Sequence, residues 1–128
     1  MRFHFRSIPS FALSAALIVL GGSAIAASPG SSGLGDPYYP ADGNGGYDVD
    51  HYDLHLTYRP STGVLSGTTT IKATAVQDLS AFNLDFALAA SAVKVNGANA
   101  TFSRSGTEYT VTPASPLAGG SAFTVEVT

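Results

Sequence analysis

The sequence predicts an all-β fold, an antiparallel β-sandwich or saddle-like sheet, forming an incomplete domain preceded by a signal peptide. Three observations predict it. Apolar and polar residues alternate with period two through most of the chain after Gly46. β-Branched residues crowd stretches such as VLSGTTTIKATAV at 64–76. Short turns rich in Gly, Pro and Asn separate these stretches. Outside the amino-terminal segment no stretch carries a helical period, and the Ala-rich 87–91 is at most one turn.

Residues 1–26 read as an export signal. Arg2 and Arg6 precede an apolar run from Phe11 to Leu20, and Ala24, Ile25 and Ala26 supply small residues for cleavage. The run is bracketed by Pro9 and by Gly21 and Gly22, and it is shorter than the roughly 20 apolar residues that span a bilayer. The expected product is a secreted, extracellular chain with no membrane contact after cleavage. Residues 27–46 (ASPGSSGLGDPYYPADGNGG) read as a flexible Gly/Ser/Pro-rich linker, with order beginning near Tyr47. Residues 47–128 make up the β domain, and a chain of this length holds one small domain.

Taken in order, Tyr52, Leu54, Leu56 and Tyr58 fall on one face of the first strand, with His51, Asp53, His55 and Thr57 on the other. The turn at 59–63 uses the fixed φ of Pro60 and the freedom of Gly63, so 64–76 returns as the second arm of a long hairpin, with Leu65, Thr69, Ile71 and Ala73 on alternate positions. A third strand over 79–86 places Phe82, Leu84 and Phe86 inward and Asn83 and Asp85 outward. Short strands follow at 92–95, 100–103, 108–112 and 123–128, with turns at 96–97, 105–106 and 116–120. The alternation of 123–128 runs to the last residue, which predicts a fragment of a longer protein. Open sheet edges are then expected to favour association.

Charge and composition exclude several functions. The chain has 6 basic and 9 acidic residues; without Arg2 and Arg6 the exported part keeps four basic against nine acidic, so nucleic acid is not an expected partner. The chain has no cysteine, which removes disulfides, thiol nucleophiles and a lipidated start.

The candidate sites are weak. His51, Asp53 and His55 share a strand face, but same-face neighbours are about 6.5–7 Å apart. The two imidazoles are then too distant to share a zinc ion whose ligands lie about 2 Å away. Residues 42–50 are oxygen-rich, yet Gly46 and Tyr47 stand at the fifth and sixth places of a would-be calcium loop and Asp53 at the twelfth, which does not match an EF-hand. Asn99-Ala100-Thr101 fits a glycosylation sequon that matters only in a glycosylating host. No Gly-x-Ser-x-Gly elbow is present, and Asp78, Asp85, Glu108 and Glu126 read as solvated charges with no sequence reason to pair. Tyr38, Tyr39, Tyr52, Phe82 and Phe86 read as packing residues before ligand-lining ones.

Several pieces in order carry a resemblance: GDPYYP (35–40), GNGGYDVDHYDL (43–54), YRP (58–60), LSGTTTI (65–71), LSAFNLDF (79–86), VKVNG (93–97) and TPASPLAGG (112–120). Together they resemble the opening strands of the aminopeptidase N family of secreted zinc metallopeptidases. The resemblance implies a non-catalytic, amino-terminal β domain packed against a thermolysin-like catalytic domain, with zinc as the parent enzyme's cofactor and peptides as its substrates. It carries no catalytic, cofactor-binding or metal-binding residue onto this chain. The family's His-Glu-x-x-His and Gly-x-Met-Glu-Asn motifs are absent, since His4, His51 and His55 precede Phe5, Tyr52 and Leu56, and the only methionine is Met1. The isolated chain is therefore expected to be inactive. The competing reading is a non-enzymatic secreted immunoglobulin-like or carbohydrate-binding β module.

Overall fold

The computed structural model describes residues 26–40 and 42–128. Residues 1–25, which hold nearly all of the expected export signal, lie outside the described residues. The described part is all-β: β1 (Ser28–Pro29), β2 (Tyr47–Arg59), β3 (Val64–Ala75), β4 (Leu79–Asp85), β5 (Val93–Val95), β6 (Ala98–Asn99), β7 (Thr101–Ser105), β8 (Glu108–Thr112) and β9 (Ala122–Val127). No helix long and apolar enough to cross a membrane occurs among these residues.

The strands form two sheets, one ordered β2-β3-β9-β5-β6 and the other β1-β4-β8-β7. Their inner faces meet in one core. Ile71, Ala73 and Ala75 of β3, Phe123, Val125 and Val127 of β9, and Val93 and Val95 of β5 come from the first sheet. Phe82 and Leu84 of β4 and Tyr109 and Val111 of β8 come from the second. Period two supplies this division, because alternate side chains of each strand project to the same face. Rings tie the sheets together: Phe82 lies 5.5 Å from Phe123, and Tyr47 packs edge-on against both, at 5.7 and 6.1 Å. Edge-to-face packing of this kind adds about 0.5–1.5 kcal/mol per pair beyond the area buried.

The hairpin β2–β3 forms as the alternation predicts, with Leu54 opposite Thr69 and Tyr58 opposite Leu65. One irregularity lies between Val49 and His51, where β2 carries an extra residue, Asp50. This bulge has a visible cause. Tyr47 and Val49 are apolar at odd positions, Tyr52, Leu54, Leu56 and Tyr58 at even ones, and one additional residue brings both sets to the inner face. Asn96, with φ of 50°, and Gly97 make the two-residue turn between β5 and β6, as the Asn-Gly pair predicts.

Three features differ from the sequence reading. First, the sheets are not purely antiparallel, because β1 pairs with β4 in parallel. Second, ordered structure begins ahead of Tyr47. Ser28 N donates to Asp78 O, Gly30 N to Ala81 O and Gly45 N to Ser31 O, so both ends of the Gly/Ser/Pro-rich stretch are tied to the sandwich. Composition misses this because backbone groups make the ties and side chains contribute little. Third, Asn83 points outward as predicted but is buried, at 6% exposure. The incoming segment covers it, and its Nδ2 donates to Gly30 O at 3.3 Å.

Candidate functional site

The hairpin reaches past the sandwich. β9 pairs with β3 only over Thr69–Thr74, so Val64–Thr68 has β2 as its sole neighbouring strand among the described residues. Along this face of β2, Tyr52, Leu54, Leu56 and Tyr58 remain 54, 55, 53 and 60% exposed, the last two opposite the part of β3 that β9 does not reach. Apolar side chains on the face that elsewhere forms the core thus line a trough. Its two adjoining cavities, of about 380 and 460 Å³, share Leu54, Thr69, Phe86 and Val127. An extended apolar surface of this kind marks a packing or binding face.

A polar cluster closes one end of the trough. Asn44 Nδ2 donates to Asp85 Oδ2 at 3.1 Å, and Asp85 stands opposite Glu108 in the β4–β8 ladder. Glu108 Oε1 and Asn44 Oδ1 are buried without hydrogen-bond partners. Burial, then the facing Asp85 carboxyl, pushes the Glu108 pKa above the usual carboxylate range. Tyr47 sits between this cluster and the core, its hydroxyl donating to Asn83 O at 2.7 Å. Burial first, and then the nearby Tyr52, Asp85 and Glu108, pushes its phenol well above the ordinary tyrosine value. The hydroxyl therefore serves as a fixed donor and not as a base.

Gly30 lets the incoming segment seat against this end. A Cβ there would collide with the carbonyl oxygen of Gly45, so only glycine permits the two loops to approach so closely.

The sequence-singled residues are dispersed. His55 Nε2 lies 3.4 Å from Asp53 Oδ1 on the outer face of β2, both side chains exposed. Among the described residues no three His, Asp or Glu side chains gather as metal ligands. In the oxygen-rich 42–50 stretch, Asp50 accepts from Thr74 Oγ1 at 3.1 Å, and Asn44 turns to Asp85. Asp78 Oδ1 accepts from Gly119 N at 2.7 Å, and Glu126 pairs with Lys94 at 3.0 Å. Tyr38 and Tyr39 are exposed, Phe82 is fully buried and Phe86 lines the trough. Asn99 is exposed on β6. The sequence reading missed the facing of Asp85 and Glu108, because only the β4–β8 register creates it. It also missed the covering of Asn83.

The described residues form a two-sheet sandwich with an overhanging apolar arm. Comparison with solved structures gives its class. The chain is similar to the M1 zinc metallopeptidase of Deinococcus radiodurans, with a TM-score of 0.66 and 34% identity over 74% of this chain and 22% of that one. The same scores and identity hold for a mutant of that enzyme bound to a Tyr-Ser-Ala substrate, over 23% of its length, and for a two-domain M1 zinc metallopeptidase mutant bound to L-arginine, over 22%. The chain thus carries the fold, and a third of the aligned residues, of one part of M1 zinc metallopeptidases of the aminopeptidase N family, and it spans about a fifth of their length. No family model and no curated protein sequence matches it. Zinc is the metal these relatives' names imply, and the residues present here do not fit it: the sequence holds no His-Glu-x-x-His, and the described histidines are solvent-facing on one strand.

Proposed function

We propose that this chain is the amino-terminal, non-catalytic β domain, or the first part of it, of an exported zinc metallo-aminopeptidase. One observation carries the reading. The similarity to M1 zinc metallopeptidases covers 74% of this chain at 34% identity while covering only about a fifth of theirs. In the parent protein a separate catalytic domain holds zinc and removes residues from the amino terminus of peptides. Zinc bound there would supply Lewis-acid chemistry for peptide hydrolysis, and its ligands would come from outside this chain. The present domain packs against that unit and helps wall its cavity. The trough supports this role, because its apolar lining is continuous with the core and suits burial against further protein. Export is supported by the basic and then apolar pattern of residues 1–26.

The test is the mass and activity of whatever protein carries this amino terminus in the host's culture medium. The expected result is a species several times larger than this chain whose release of amino acids from peptides stops with a zinc chelator. A folded but inactive species no larger than this chain overturns the reading and favours a binding module.

A further inference from the structure

The outer edge of β2 is the longest unpaired backbone edge among the described strands, thirteen residues with β3 on one side only. We propose that this edge pairs with β2 of a second copy of the same chain, antiparallel about a two-fold axis at Leu54, joining two five-stranded sheets into one. The inference is independent of the proposed peptidase role.

The argument is self-complementarity. A strand that pairs with itself must match its own sequence read backwards, and only some registers allow that. With Leu54 opposite its own copy, Tyr52 faces Leu56, so the apolar inner faces continue across the junction. On the outer face Asp53 meets His55 and His55 meets Asp53, two acid–imidazole pairs that the symmetry makes equivalent. The bulge extends the match. Because Asp50 is an extra residue, Val49 comes opposite Tyr58 of the copy and Asp48 opposite Arg59, again apolar on apolar and acid on base. Pro60, which has no N–H to offer, falls just past the last of these pairs.

Registers centred on the outer-face residues lose this fit, whereas an axis at Tyr52 keeps it by pairing His51 with Asp53, and cross-linking through position 54 rather than 52 separates the two. A two-fold axis at Asp53 sets two Asp53 carboxylates against each other, and an axis at His55 sets two imidazoles together while leaving Asp53 opposite Thr57. A one-residue slip places the apolar face of one copy beside the polar face of the other. The acids of β2 lie toward its start and Arg59 at its end, which is the polarity an antiparallel homotypic pair requires. The exposed tyrosines and leucines of the trough gain neighbours from the partner's hairpin.

The test uses the chain expressed from its complete sequence. Sedimentation at micromolar concentration should show a dimer. His55→Asp sets Asp53 against an acid at both symmetric positions and should weaken dimerisation at least about tenfold, given the cost of directly opposed like charges. The exchange Asp53→His with His55→Asp restores every pair and should restore the dimer. Both positions are exposed, so neither variant threatens the fold. The chain has no cysteine, so Leu54→Cys offers a second readout. Oxidation should link copies through position 54, whereas Tyr52→Cys or Leu56→Cys leaves the thiols about 13 Å apart by the strand rise, too far to bridge. A monomer, a dimer indifferent to His55→Asp, or equal cross-linking at all three positions overturns the proposal. A monomer would mean that the β2 edge is left for a different strand.

Discussion

Asp85 and Glu108 face each other directly across the β4–β8 ladder, two carboxyl side chains at the rim of the trough where the sheet leaves the core. The Glu108 pKa is raised by burial and by its neighbour, so the folded chain holds the Glu108 proton more tightly than the unfolded chain does. The stabilisation this gives is fully present below the unfolded glutamate value, near pH 4, and is lost as pH rises through the raised folded value. At neutral pH the pair is two like charges opposed on adjacent strands, which costs roughly 0.2–1 kcal/mol. Glu108→Gln should therefore raise neutral-pH stability by that order, with the gain vanishing toward pH 4. Urea unfolding of both proteins across pH 4–7 measures it; a gain that grows on acidification would contradict the assignment.

Tyr47 should show how the two sheets are fastened. Its ring packs on Phe82 and Phe123 while its hydroxyl satisfies the carbonyl of Asn83, joining β2 to β4. Tyr47→Phe keeps the ring and strands that carbonyl beside the buried Asn83 side chain, at a cost of about 1–3 kcal/mol. Chemical denaturation reads the loss. An unchanged midpoint would mean that water replaces the hydroxyl.

The hairpin and the site differ in how much of each is legible in the sequence. Tyr52, Leu54, Leu56 and Tyr58 announce an inner face because period two is a local property, and the turn at 59–63 is set by Pro60 and Gly63 themselves. The covering of Asn83 is invisible locally, since it depends on Gly30 arriving from 53 positions away, its carbonyl accepting from the Asn83 amide and its N–H donating to Ala81 O. The opposition of Asp85 and Glu108 depends likewise on a register between strands separated by three others in the chain. The resemblance to aminopeptidase N was readable from the order of short pieces. The uncovered trough was not, because an apolar strand face carries no mark of what opposes it.

Phe82 should be the costliest single truncation. It is fully buried and packs against two rings of the opposite sheet, Tyr47 and Phe123. Phe82→Ala removes those contacts and leaves a cavity that Ala81 and Val111 cannot fill, for about 3–5 kcal/mol. That is a large share of the stability of a small domain. Calorimetry should show a lower, broader transition or none; a loss under 1 kcal/mol would mean the core repacks.

Gly67 tests the hairpin apart from the core. It stands in β3 opposite Leu56, and a Cβ there would collide with the backbone of His55 and Leu56. Such a contact is with main chain, so no side-chain rotation relieves it. Gly67→Ala must push β2 away from β3 at this point, and strain of this type typically costs about 1–3 kcal/mol. Because the outer arm rests on no opposing sheet, the damage should stay local: faster amide exchange at 54–58 and 65–69, with the amides of β4, β8 and β9 protected as before. Uniform loss of protection would show that the arm and the sandwich unfold together, and unchanged exchange at 54–58 would show that the strands accommodate the methyl group by twisting.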